Sequence, residues 1–139
     1  MDVQQLSDRQ EIADLITGYS HAIDFHRWDD LDAIFTPDAT LDLTATGGES
    51  GDLPTMKQWL AKTLGMFAGH QHLVATTKVD LVGDRASAKS VCHNPMYLDR
   101  DGTQQVLFVG LWYLDEFVRT SAGWRIASRR QEKGYLHGL

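Results

Sequence analysis

Residues 70–135 run HQHLVATTKVDLVGDRASAKSVCHNPMYLDRDGTQQVLFVGLWYLDEFVRTSAGWRIASRRQEKGY, and this stretch decides the fold. Three turn signals cut it: Gly83-Asp84, Asp99-Arg100-Asp101-Gly102 and Thr120-Ser121-Ala122-Gly123. Between them lie long β runs, His70 to Val82, Arg85 to Tyr97, Gln104 to Arg119 and Gly123 to about Tyr135. Connections this short join antiparallel neighbours, because a parallel crossover needs a dozen or more residues. The second half of the chain is therefore a β-meander.

Upstream the period changes from two to that of a helix. Residues 5–26 predict a first helix, capped by Ser7 with Gln10 as its capping-box partner. Ile12, Leu15, Ile16, Tyr19, Ala22, Ile23 and His26 fall on one stripe of it. Trp28 to Phe35 predict a short second helix, ended by a turn at Thr36-Pro37-Asp38. A strand follows over Ala39 to Ala45, then a loop (GGESGDLP), and Pro54 opens a third helix carrying Met56, Trp59, Leu60, Leu64 and Phe67. Helices first and a meander afterwards specify an α+β domain over residues 1–139. Three N-terminal helices against one face of a curved, mixed or antiparallel sheet make a cone enclosing a pocket.

Composition narrows the function. The net charge of −6 and the scattered basic residues, with Arg129-Arg130 the one doublet, argue against a nucleic-acid partner. The polar N-terminus MDVQQLSDRQEIADL lacks signal-peptide character, and no apolar run approaches the roughly 20 residues of a membrane span. A cytoplasmic protein with no membrane partner is expected, and the single cysteine, Cys92, allows no intrachain disulfide. As a nucleophile Cys92 would need a base, yet the adjacent His93 points to the other strand face.

No phosphate loop, zinc-finger spacing or GxSxG elbow is present. His70 and His72 share a strand face, but the sequence offers no third metal ligand at a recognisable spacing, so no metal site is expected. Tyr19 fits either a core tyrosine with one hydroxyl partner or a functional group. Asp24 lies about 140° around the helix from Tyr19, off the apolar stripe, and periodicity alone makes it a solvated residue.

Two segments carry a family resemblance: Tyr19-Ser-His-Ala-Ile-Asp24-Phe-His-Arg-Trp28 with its continuation to Thr40, and Gly110 to Arg119 followed by Gly123 to Arg130. Together with His70-Gln-His72-Leu and Lys78 to Ala88, they resemble the SnoaL-like branch of the NTF2-like superfamily over nearly the whole chain. Within that branch the register is similar to scytalone dehydratase, bile-acid 7α-dehydratase and hexachlorocyclohexane dehydrochlorinase. The resemblance implies a catalytic pair of Asp24 and His72, 48 residues apart, assisted by Tyr19 and Arg129. It also implies a substrate cavity lined by Phe67, Cys92, Asn94, Met96 and Tyr113. Two departures matter. The place of the ketosteroid isomerase base falls on Leu43, and the second histidine of scytalone dehydratase falls near Ser90 or Cys92.

An Asp–His pair in a dry pocket acts as a general base, the carboxylate fixing the imidazole tautomer and stabilising the imidazolium. The expected function is thus a cofactor-independent lyase (dehydratase or other elimination) or isomerase acting on a small hydrophobic cyclic molecule. A non-catalytic ligand-binding domain with the same cone and a protein-interaction module remain the alternatives. The resemblance also implies a homo-oligomer, dimer or trimer, joined through the outer face of the sheet.

Overall fold

The first helix, α1, spans Val3–Asp24 and is fixed at its start by Asp2, not by Ser7 as the sequence suggested. The Asp2 carboxylate accepts from the Gln5 backbone N–H (2.8 Å) and the Gln5 side chain accepts from the Asp2 N–H (3.0 Å), a complete capping box. Ile12, Ile16, Tyr19, Ala22 and Ile23 of the expected stripe are buried. His26 is not, because the helix ends at Asp24 and His26 turns into the left-handed region (φ +55°). These coordinates are a computed structural model that describes residues 1–138.

Trp28–Ala33 forms the second helix as a 3-10 turn, and Thr44–Thr46 adds one more such turn. Strand β1 covers Phe35–Asp42, several residues earlier than expected, so Thr36-Pro37-Asp38 lies inside a strand. The chain accommodates Pro37 at a register irregularity between Phe35 and Thr40, where no ladder N–H is required of it. Strand β2 (Ser50–Asp52) leads into α2 (Leu53–Leu64), capped by Asp52, whose carboxylate accepts from the Thr55 N–H at 2.9 Å. Phe67 lies beyond the end of α2.

The meander then begins. The run expected as one strand from His70 is two, β3 (Gly69–His70) and β4 (Leu73–Val82), followed by β5 (Arg85–Arg100), β6 (Thr103–Thr120) and β7 (Gly123–His137). The sheet order is β2-β1-β7-β6-β5, with β3 and β4 sharing the outer edge of β5. All pairings are antiparallel except β1 with β7, so the sheet is mixed. It curls around α1 and α2, and its concave face carries Val109, Leu111, Tyr113 and Phe117 of β6, with Trp124 and Ile126 of β7, all buried. Burying each large apolar side chain stabilises the fold by about 1.5–3 kcal/mol.

A polar clamp ties α1 to the sheet. Asp8 accepts two N–H groups of Arg119 (2.7 and 2.9 Å) and the Trp124 indole N–H (3.0 Å). Glu11 takes the Trp124 backbone N–H at 3.1 Å. The far end of α1 is thereby aimed at the gap between β3 and β4. Among the described residues no helix is long and apolar enough to cross a membrane.

Candidate active site

The gap between β3 and β4 is what gives Asp24 a role that helix periodicity hid. Opposite Gln71, the carbonyl of Pro95 on β5 accepts its N–H (3.2 Å). The next N–H, that of His72, turns away from the sheet and donates to Asp24 Oδ2 at 2.8 Å. The His72 ring follows, with Nδ1 at 2.7 Å from Asp24 Oδ1, and Nδ1 of His70 lies 3.1 Å from that same oxygen. Asp24 is thus the third group that the sequence did not offer to His70 and His72. Three ligand-type atoms lie within 4.8 Å of one another here, and these are the residues able to hold a cation.

Burial pushes the Asp24 carboxyl up, but hydrogen bonds from His70, from the His72 ring and from the His72 backbone outweigh it and hold the group well below the usual carboxylate range. Asp24 is therefore ionised and can only accept, so both imidazoles donate from Nδ1. In neutral His72 the lone pair then lies on Nε2.

A cavity of about 200 Å³ opens beside His72 on the concave face. Of the residues expected to line it, Phe67, Asn94, Met96 and Tyr113 do, and Tyr19 joins them. Its polar members include Asn94, whose buried Oδ1 has no protein partner, and Gln131, which accepts from Thr46 at 2.6 Å. Trp59 and Leu60 of α2 line it as well, and so does the Thr46–Gly48 loop, which was not anticipated.

Cys92 and Arg129 are corrections. Cys92 is fully buried but not part of the cavity wall, because its short side chain stops at the sheet floor among Tyr113 and Arg129. Burial pushes its thiol up to about 12, which disfavours the thiolate that a nucleophile or metal ligand requires. Arg129 does not face the cavity either. Its guanidinium, fully buried, makes two bonds to Asp115 (2.7 and 2.8 Å), an ion pair that the sequence analysis missed. The Tyr113 and Tyr19 rings cover it at 3.8 and 4.3 Å. Burial raises the Tyr19 hydroxyl to about 12 against the pull of Arg129, so Tyr19 is a phenol that donates. Tyr113 is likewise pushed well up by burial.

A β-bulge places the arginine. Phe117 pairs with Ile126, yet Glu116 pairs with Ser128 and Asp115 with Arg129, which leaves Ala127 as an extra residue. Strict alternation from Trp124 would have turned Ser128 inward instead.

Residues 4–130 match the SnoaL-like domain family. An uncharacterized protein of Mycobacterium tuberculosis is 50% identical over 133 residues, spanning 96% of this chain and 90% of that one. A crystal structure of a hexachlorocyclohexane dehydrochlorinase from Novosphingobium barchaimii superposes with a TM-score of 0.85 at 17% identity, covering all of this chain and 94% of the other. A candidate scytalone dehydratase from Novosphingobium aromaticivorans gives 0.84 at 19% identity over 100% and 92% of the two chains. At these identities the two structures attest the shared fold.

Proposed function

The chain belongs to the SnoaL-like domain family, and from that premise we propose that it is a lyase or isomerase that abstracts a carbon-bound proton with His72. One observation carries the reading: a ring whose Nδ1 is tied to an ionised carboxylate at 2.7 Å lines a largely apolar cavity.

In an elimination, His72 Nε2 takes the proton from the carbon next to the one bearing the leaving group. The C–H electron pair becomes the new C=C bond, and hydroxide or halide departs with its own pair. Asp24 stabilises the imidazolium that forms. Tyr19, kept as a phenol, donates to the departing group, and Arg129 beneath its ring acts through it. Asn94 Oδ1 is free to accept from a substrate hydroxyl. Residues of this chain supply every one of these roles.

Cavity size supports a substrate class. An apolar cavity of about 150 Å³ accommodates benzene, so 200 Å³ suits a single substituted ring or a compact bicycle, not a four-ring steroid. The dehydrochlorinase and dehydratase likeness supports small cyclic alcohols and halides as the first compounds to test.

With any turned-over compound, His72→Ala removes the proton acceptor. Asp24→Asn removes the charge and frees the tautomer, a change that costs about 10⁴ in rate in serine hydrolases. Tyr19→Phe costs less. The double change at 24 and 72 falls little below His72→Ala, because groups acting as a unit are non-additive. Activity retained in His72→Ala, or fully additive losses, would exclude the pair as the base.

A further inference from the structure

The Asp24–His72 pair is one arm of a longer imidazole chain, and the elimination scheme leaves the other arm without a task. That arm runs from Asp24 Oδ1 to His70 Nδ1 (3.1 Å) and from His70 Nε2 to His26 Nε2 (2.8 Å). The His70 side chain is only 3% exposed, so both its nitrogens are committed to these contacts. The His26 and His70 rings are within 10° of coplanar with centroids 5.1 Å apart. Combined with the short Nε2–Nε2 distance, that is two rings meeting edge to edge along an N–H···N bond. Trp28 supports the far side of His26, ring centroids 5.1 Å apart.

His26 occupies a backbone site that usually belongs to glycine. Its N–H donates to Ile23 O (3.2 Å) and the Arg27 N–H to Ala22 O (2.7 Å), the two bonds of a Schellman ending on α1, with His26 itself at φ +55°. A side chain in that conformation is strained, and such strain persists where the surroundings over-determine it.

We propose that His70 and His26 are positioning residues for the Asp24–His72 base: His70 holds the carboxylate oxygen from a second side, and His26, bonded to the Nε2 of His70, holds that ring in place. This rests on the reading of His72 as the base. An ionised carboxylate only accepts, so His70 donates from Nδ1; a neutral His70 then has its lone pair on Nε2, and His26 must donate to it from Nε2. Three N–H groups hold Asp24 in one orientation: those of the two rings and of the His72 backbone. The orientation of the His72 ring follows from it.

Carrying a proton outward is not what this arm is needed for. A groove of about 440 Å³ between α1 and β4 already reaches Asp24 and His72 from outside. A cation on both Nδ1 atoms would instead take the protons that Asp24 accepts and make His70 Nε2 the donor to His26, an arrangement that the nitrogen resonances below distinguish. The titratable groups facing Asp24 are His21 on α1, His70 and His72 from the β3–β4 gap, and Cys92 on β5, with His26 behind His70.

Nitrogen and carboxyl-carbon NMR of the labelled full-length protein tests this without any substrate. In their neutral forms His72 and His70 should both show protonated Nδ1 and lone-pair Nε2. His70→Leu should move the Asp24 carboxyl midpoint up toward the ordinary range. His70→Asn, whose side-chain N–H falls where Nδ1–H was, should bring it back, and it decides the matter if the leucine variant fails to fold. His26→Gly suits the left-handed backbone and, by removing the donor to His70 Nε2, should shift the resonance of that nitrogen. Four results would overturn the proposal: a protonated Nε2 on neutral wild-type His72, an unmoved Asp24 midpoint in folded His70→Leu, no rescue by asparagine, or Nδ1 resonances that change when the purified protein is treated with a chelator. An unchanged His70 Nε2 resonance in His26→Gly would remove His26 from it. A pair that passes these tests and turns over no substrate would refute the proposed activity alone.

Discussion

Asp115→Asn preserves shape and removes one charge, and the structure predicts a loss out of proportion to that change. Arg129 and Asp115 are both completely buried, and the carboxylate takes two of the guanidinium's N–H groups. Arg129 Nη1 already has no partner. Without the carboxylate, a cation remains in the core between two phenol rings. Removing one partner of a buried pair costs about 3–5 kcal/mol, and the Tyr19 and Tyr113 faces return at most about 2 kcal/mol of that. The net is about 1–5 kcal/mol, against the roughly 5–15 kcal/mol that holds a domain folded. With a urea slope of about 2 kcal/mol/M, the midpoint should fall by about 0.5–2.5 M. Arg129→Met combined with Asp115→Leu should recover most of the loss, since replacing both partners leaves nothing buried and unpaired. If Asp115→Asn cost less than about 1 kcal/mol, Arg129 would have to reach water or another acceptor. If the apolar double variant proved worse than Asp115→Asn, the pair would be a net stabiliser and the desolvation reasoning would fail.

Acid should unfold the protein through Asp8 and Asp24. Arg119 and the Trp124 and Gln4 side chains hold Asp8 well below the usual carboxylate range, so its folded value lies under its unfolded one. Its stabilisation is therefore complete above the unfolded value of about 3.9 and is lost as pH falls further. Asp8→Asn should be less stable at neutral pH but show a flatter decline in acid; urea titrations giving an unchanged acid slope would contradict this. A single-ring alcohol or halide that binds the cavity should raise Tm, by about 2.7 kcal/mol of stabilisation at a hundredfold excess over Kd. Met96→Trp, which fills the cavity, should abolish the shift, and a shift that survives would place the ligand elsewhere. Gly69→Ala would drive its Cβ into the Tyr97 ring and should cost about 1–3 kcal/mol. Tyr97→Leu should rescue it, and failure of that rescue would mean the glycine serves another purpose.

The meander was legible because its turns are short and its strands long, which leaves few topologies open. Edges were less so: residues 70–82 gave one continuous β run, while the chain breaks it at Gln71-His72 to send a backbone N–H toward Asp24. Periodicity placed Asp24 on the surface, and by its own helix it would be there. Its burial comes from a segment 48 residues away, a contact that no local pattern encodes. The family resemblance named the pair where helical spacing voted against it.

Arg129 shows the converse failure. The resemblance put it in the cavity, and alternation from Trp124 would have put it outside; the extra residue Ala127 defeats both by rotating it inward onto Asp115. A signal was present on β6. Asp115 shares the inner face with Tyr113 and Phe117, and an aspartate on an apolar strand face demands a cationic or hydrogen-bonding partner. Arg129 across the β6–β7 hairpin can satisfy it, and is in reach only because a bulge intervenes. The ion pair and the bulge are therefore one feature: the bulge supplies the partner, and the buried carboxylate supplies the reason for the bulge. Behind Tyr19 and Tyr113, that pair keeps a positive charge out of the cavity, with the guanidinium 4.3 and 3.8 Å from the two ring centroids.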